Sequence, residues 1–188
     1  MTTPPLFVAN TVLSAAQMNK IGMWKISTTS LGGAVSISIS NCFSSDYANY
    51  RVLCTNFNGG GGTTRQLSMR FRTTSDDTTA SYNSGQVGVY SASVFGSSGM
   101  GQTSASLGAI SAQPSGSAAG GFSIDIFTPN AALGTTYTGT LFNYQSDVTS
   151  YVYRTISGNI TTTTQYTGFT IFGVTDGLSG TVQVYGYN

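Results

Sequence analysis

Ala34-Val35-Ser36-Ile37-Ser38-Ile39-Ser40 alternates aliphatic and hydroxyl side chains with a period of two. Successive side chains of a strand point to opposite faces, so Val35, Ile37 and Ile39 share a dry face and the serines a wet one, whereas a helix would scatter both sets. Gln66-Leu67-Ser68-Met69-Arg70-Phe71-Arg72 reads the same way, with Leu67, Met69 and Phe71 as the dry set. Both stretches are strands with one buried face.

Outward from these two, Tyr50–Phe57, Val87–Phe95, Gly121–Phe127, Tyr137–Gln145, Ser150–Ile156, Thr167–Phe172 and Gly180–Tyr187 belong to the same class, separated by Gly, Ser, Asn and Asp clusters. About nine short strands without crossover helices call for antiparallel pairing, hence a β-sandwich or a barrel-like roll. Two connections stand out. Asn58–Thr64 holds four consecutive glycines and superficially resembles a phosphate loop, but no Lys-Ser/Thr follows and no helix starts there, so it reads as a flexible hairpin tip. Gly96–Ala119, rich in Ser, Gly and Ala, reads as a long loop, either mobile or ordered by a partner.

The only helix signal lies near the start. Ser14 with Gln17 three residues on forms a capping box, and Gly22 is placed to stop a helix of about two turns. So short a helix is marginal alone and must dock its Leu13, Met18 and Ile21 face, either on its own domain or on a neighbouring protein. Before it, Pro4 and Pro5 hold Thr3–Asn10 extended. The domain organisation is thus a docking segment over residues 1–23 and one β-sandwich over 24–188, with Pro4, Pro5, Phe7, Leu13, Met18, Ile21 and Trp24 as the candidate docking residues.

Charged residues make up 7% of the 188, and neither His nor Glu is present. In their place stand 28 Thr, 26 Ser and 24 Gly, beside 11 Tyr and 10 Phe. Aromatic and β-branched residues at regular spacing argue against disorder. Five Arg and two Lys are scattered and the net charge is +1, which excludes a nucleic-acid footprint. No apolar run is long enough for membrane insertion, and Met1–Asn10 lacks the basic start and apolar centre of a secretion signal, so the chain reads as made in cytoplasm.

Catalytic chemistry is thinly provisioned. General acids and bases are drawn first from His and then from carboxylates, and only Asp46, Asp76, Asp77, Asp125, Asp147 and Asp176 are available. Asp125 alone falls within an expected strand, on its outer face; Asp76-Asp77 reads as a solvated turn, with calcium as the sharper alternative. Cys42 and Cys54 match no metal spacing, so no metal or other cofactor is expected. A disulfide between them would contribute about 3 kcal/mol, but a cytoplasmic origin favours two reduced thiols. The reading is a protein that is not an enzyme.

Aromatic residues carry more information. Phe142 and Tyr144 oppose Leu141, Tyr151 and Tyr153 oppose Val152 and Ile156, and Tyr185 and Tyr187 oppose Val182 and Val184. One face fills the sandwich. The other needs a second layer, a neighbouring subunit or a ligand such as a sugar that stacks on rings.

Pro5-Leu6-Phe7-Val8-Ala9-Asn10-Thr11-Val12-Leu13-Ser14-Ala15-Ala16-Gln17-Met18-Asn19 resembles the F-x-x-G/N-x-x-L-[ST]-A-A-x-[ML]-N opening of virion proteins from tailed bacteriophages. Tyr166–Phe172 with Gly180–Tyr187 resembles the last two strands of small β-rich domains in phage fibre and appendage proteins, and Asn41–Arg51 is similar to the same group. The resemblance implies a jelly-roll-like antiparallel β-sandwich, a homotrimer on the virion exterior that contacts capsid or tail proteins and possesses no catalytic residues. An extended arm of about twelve residues reaches up to about 40 Å, far enough to find such a partner. Fibre proteins carry a long repetitive shaft and this sequence has none. The expected roles are accordingly a short tail-fibre knob or appendage meeting a host surface glycan, a capsid decoration protein, or a lectin.

Overall fold

A computed structural model describes residues 22–114, 119–173 and 177–188, and the described residues contain twelve strands and no helix. Two antiparallel sheets pack as a β-sandwich. The larger has the order β1 (Trp24–Ser30), β12 (Leu178–Tyr187), β3 (Asn49–Gly59), β8 (Gly120–Phe127), β9 (Thr135–Gln145), β10 (Ser150–Ile160), β5 (Tyr82–Tyr90), β6 (Ser93–Gln102). The smaller has β2 (Ser36–Ile39), β11 (Gly168–Phe172), β4 (Arg65–Arg72), β7 (Ala105–Ile110). Pro4, Pro5, Phe7, Leu13, Met18 and Ile21, with the expected arm and helix, lie outside the described residues.

Set aside the hairpins β5–β6 and β9–β10, and eight strands remain in two nested quartets, β1-β12-β3-β8 facing β2-β11-β4-β7. The two hairpins extend the larger sheet beyond β8 in the order β9-β10-β5-β6. The smaller sheet is not extended to match, and its edge strand β7 packs against β5, β9 and β10.

Three expectations are corrected. Val87–Phe95 is not one strand but the turn of a hairpin, with Tyr90 paired to Ser93 around Ser91-Ala92. Its tip carries none of the Gly, Asn, Asp or Pro that normally mark a turn; Ser91 itself takes the left-handed conformation, at φ 50°. Gly96–Ala119 is not one long loop, since its described part supplies most of β6 and all of β7. Glycines and serines in β6 leave no apolar alternation to see, and a bulge at Gly108 breaks the parity of β7, so Leu107 and Ile110 are buried three residues apart. Asn58–Thr64 is no hairpin tip either, since it carries the chain from β3 in one sheet to β4 in the other. It is tied down there: Gly60 N–H donates to Gly177 O at 2.6 Å, and Thr64 Oγ1 donates to Asp147 Oδ1 at 2.7 Å.

The core centres on Phe71, which lies nearly parallel to Tyr82 at 6.4 Å and stacks on Tyr166 at 5.2 Å, with Phe43 and Tyr137 beside it. Buried tyrosines need partners for their hydroxyls, and here most find main chain. Tyr82 accepts from Phe71 N–H at 3.0 Å and donates to Asp77 O at 3.1 Å; Tyr50 both accepts from and donates to the main chain of Ser44 at 2.7 Å. Cys42 and Cys54 are free thiols, both buried within the core.

Close approach fixes several glycines. A Cβ at Gly158 would lie 2.2 Å from Asn83 O and 2.3 Å from Tyr137 Oη, whereas one at Gly85, on the neighbouring strand, would meet nothing within 4 Å. Gly158→Ala is expected to cost about 1–3 kcal/mol through overpacking, and Gly85→Ala to stay within about 1 kcal/mol of the parent, as read by urea denaturation.

Burial pushes the thiols of Cys42 and Cys54 and the phenols of Tyr137 and Tyr166 up to about 12, and raises Tyr82 as well. The folded chain therefore holds protons that the unfolded chain releases at about pH 8.5–10. Stability is expected to be full below about pH 8.5 and to fall as pH rises toward the folded values, seen as a urea midpoint that drops between pH 7 and about pH 10.5.

Candidate functional site

Register turns the outer face of the larger sheet into a lattice of rows. One row crosses four strands: Phe142 on β9 faces Tyr153 on β10, Tyr153 faces Val89 on β5, and Val89 faces Val94 on β6. All four are exposed, Tyr153 at 46% and Val94 at 73%. Tyr144 and Tyr151 form the adjoining pair, with Phe142 and Tyr151 stacked at 5.1 Å and Tyr144 set edge-on to Tyr151 at 5.6 Å. On the other side of the row lie Thr140, Thr155 and exposed Val87.

This stripe is carried entirely by the two hairpins. The reverse side of β9 and β10 presents Leu141, Val152 and Ile156 to the interior, as the alternation requires. In β5–β6 the pattern is inverted: Val87, Val89 and Val94 face solvent, while Ser84, Gln86 and Ser97 face inward. A strand pair built only to cover a core would be patterned the other way round.

The six aromatic positions expected on one face do share it, but in two groups. Tyr185 and Tyr187 stand on β12, three strands and about 14 Å away from β9. Around them is the one ion pair of this face among the described residues, Arg51 with Asp125. Arg51 Nε and Nη2 donate to the two carboxylate oxygens at 2.8 and 2.7 Å, and Tyr187 Oη donates to Asp125 Oδ1 at 3.2 Å. The Asp125 hydrogen bonds raise the Arg51 pKa, and burial with the Asp125 charge raises that of Tyr187. Trp24 begins β1 at the opposite edge, half-buried and paired with Gly186.

Each described carboxylate is engaged by neighbours. Asp46 accepts from Ser44, Asp76 from Thr170 beside Arg72, Asp147 from Thr64 and Gln145. Asp77 takes bonds from Thr79 and Tyr166; burial pushes its pKa up, but these bonds outweigh it and hold the carboxyl below its usual range. The Asp76-Asp77 turn is thus a clasp on the core. No group of three or more His, Cys, Asp or Glu is placed to hold a metal among the described residues.

Sequence reasoning passed over one residue. Arg154 shares parity with Val152 and Ile156, a signal that it points inward, and it is 1% exposed. Its Nη1 donates to Gln86 Oε1 at 3.0 Å, its Nη2 to Gln145 Oε1, and its guanidinium carbon lies 5.2 Å over the Phe95 ring. No carboxylate among the described residues bonds to it, and burial lowers its pKa to about 10. Gly108 across the sandwich makes the room, since a Cβ there would stand 2.6 Å from Arg154 Cδ.

Because the stripe lies off the core, Tyr153→Lys is expected to change monomer stability by no more than about 0.5 kcal/mol, and Leu141→Ala, on the reverse of the neighbouring strand, to cost about 2–5 kcal/mol. Urea denaturation at low chain concentration checks both.

No protein-family model, curated protein or solved structure matches the chain, so its function is read from these residues and from the motifs quoted at the outset.

Proposed function

We propose that this chain is a structural, non-enzymatic protein of the exterior of a tailed-phage virion. It is a trimeric tail-fibre knob or appendage, synthesised in the bacterial cytoplasm, attached through its N-terminal segment and presented to the host surface. The observation that carries the reading is the stripe of Phe142, Tyr153, Val89 and Val94: an exposed apolar row whose surroundings hold no unpaired charge suits permanent contact with other protein. Subunits meeting there would desolvate rings, valines and threonine hydroxyls, and no ions.

Two further points support it. The order β1-β12-β3-β8 against β2-β11-β4-β7 supports a jelly-roll-like reading in which β5–β6 and β9–β10 are insertions, and jelly rolls serve viral capsid and lectin domains. The Phe7 to Asn19 motif, with Pro4, Pro5, Leu13, Met18 and Ile21, is the docking segment that this reading calls for. Architecture alone does not give function, so the weight rests on the face and the motif.

Quantitative mass spectrometry of purified virions tests the assignment. A few dozen copies or fewer is the outcome expected of an appendage, hundreds would make it a capsid decoration protein, and none would remove it from the particle. Sedimentation equilibrium tests the interface: the parent is expected to be a trimer and Tyr153→Lys or Val89→Lys a folded monomer, while unchanged assembly in both variants takes the stripe out of the interface.

A further inference from the structure

Between Tyr82, which packs on Phe71, and Phe95, which lies under Arg154, the inward side of the β5–β6 hairpin turns polar at Ser84, Gln86 and Ser97. It overhangs the free edge of the smaller sheet, where Ser84 Oγ accepts from the edge amide of Ser106 at 3.4 Å. Under the overhang is a cleft of about 280 Å³, somewhat below the roughly 300–1,000 Å³ of sites for drug-sized ligands. Its lining is uniform: carboxamides from Gln66 and Gln86, hydroxyls from Ser68, Ser97 and Ser106, glycine backbone, and neither a charged nor an aromatic side chain.

These groups are held in place from behind. Buried Arg154 donates to Gln86 Oε1, which leaves Gln86 Nε2 to donate to Ser97 Oγ at 2.7 Å, and the Ser97 proton is then available to the cleft. On the facing wall, Gln66 Nε2 donates to Leu67 O at 2.8 Å and to Ser106 Oγ at 2.9 Å, which frees the Ser106 proton and Gln66 Oε1 toward the same space. Ser68, 8% exposed, lines the same cleft.

We infer that this cleft binds a terminal neutral saccharide unit. Alternating donors and acceptors on rigid walls match vicinal hydroxyls, each of which both gives and accepts. The absence of charge on the lining selects against uronic or other acidic sugars, which would enter with no cation in contact to offset their desolvation. Arg154 acts as a positioning residue, its charge spent on orienting Gln86. The inference deepens the attachment reading and rests on it only for the source of the glycan. The stripe lies on the outer side of the same hairpin, so assembly and glycan capture use opposite faces.

The test is titration of the full purified chain with neutral gluco- and galacto-oligosaccharides and with their uronic-acid counterparts. Binding of a neutral series is expected, with Kd raised about tenfold by Gln66→Ala, the loss of one or two hydrogen bonds, and binding abolished by Ser97→Phe, which fills the cleft, each at unchanged Tm. Binding of acidic sugars alone, or of none, overturns the inference. So does binding that survives both cleft variants but is lost in Tyr153→Ala, which would move the site to the aromatic stripe. Saccharide binding by a chain absent from virions would leave the cleft standing and remove the virion reading; a virion protein that binds no saccharide would do the reverse.

Discussion

Everything in this sandwich depends on the ring stack at Phe71 and on where its polar rims go. Phe71 comes from the smaller sheet, Tyr82 and Tyr137 from the larger, and Tyr166 from the connection between β10 and β11. Rings supply the buried area, but a phenol left without a partner inside would cancel much of that gain. The main chain of Phe71 and Asp77 and the Asp77 carboxylate absorb the hydroxyls of Tyr82 and Tyr166, so packing and hydrogen bonding fix the same contacts. An interior so satisfied needs few ions, which is how a chain with 7% charged residues holds two sheets together.

That economy also sorts the surfaces. The ring stack draws on both the eight-strand body and the hairpins, since Tyr82 stands on β5 and Tyr137 on β9. Beyond their share of the core, the hairpins add the outward apolar row and the inward polar cleft. Arg154 is the exception, a cation kept in the interior by two glutamine carbonyls and a ring. Such a group makes a poor case for stability but a good one for holding a side chain in one orientation.

Legibility in the sequence followed side-chain alternation. Strands with large inward residues, such as Leu67, Met69 and Phe71 in β4, could be read directly, and so could the two-sided apolarity of β9, β10 and β12. β6 could not, because Gly96, Ser97, Ser98 and Gly99 hold their register by backbone pairing with β5, which leaves no trace in residue type. The Ser91-Ala92 turn was hidden for the related reason that a serine carries the left-handed backbone without help from glycine. Of the candidate site, the outward aromatics were visible from parity, but their division into two groups was not: that depends on β3 and β8 lying between β12 and β9, a matter of topology. The cleft was invisible for the same reason, since its walls come from four strands.

The attachment of the hairpins to the body has a mechanical side. β9 joins β8 through seven registered pairs, from Gly121↔Phe142 to Phe127↔Thr136, and this ladder carries most of the leaf formed by β9, β10, β5 and β6. A pull along the strands loads those rungs together in shear, whereas a pull across the sheet peels them one after another. The direction of tension thus sets how long the leaf stays joined to the body, and the junction is strongest when traction runs parallel to β9.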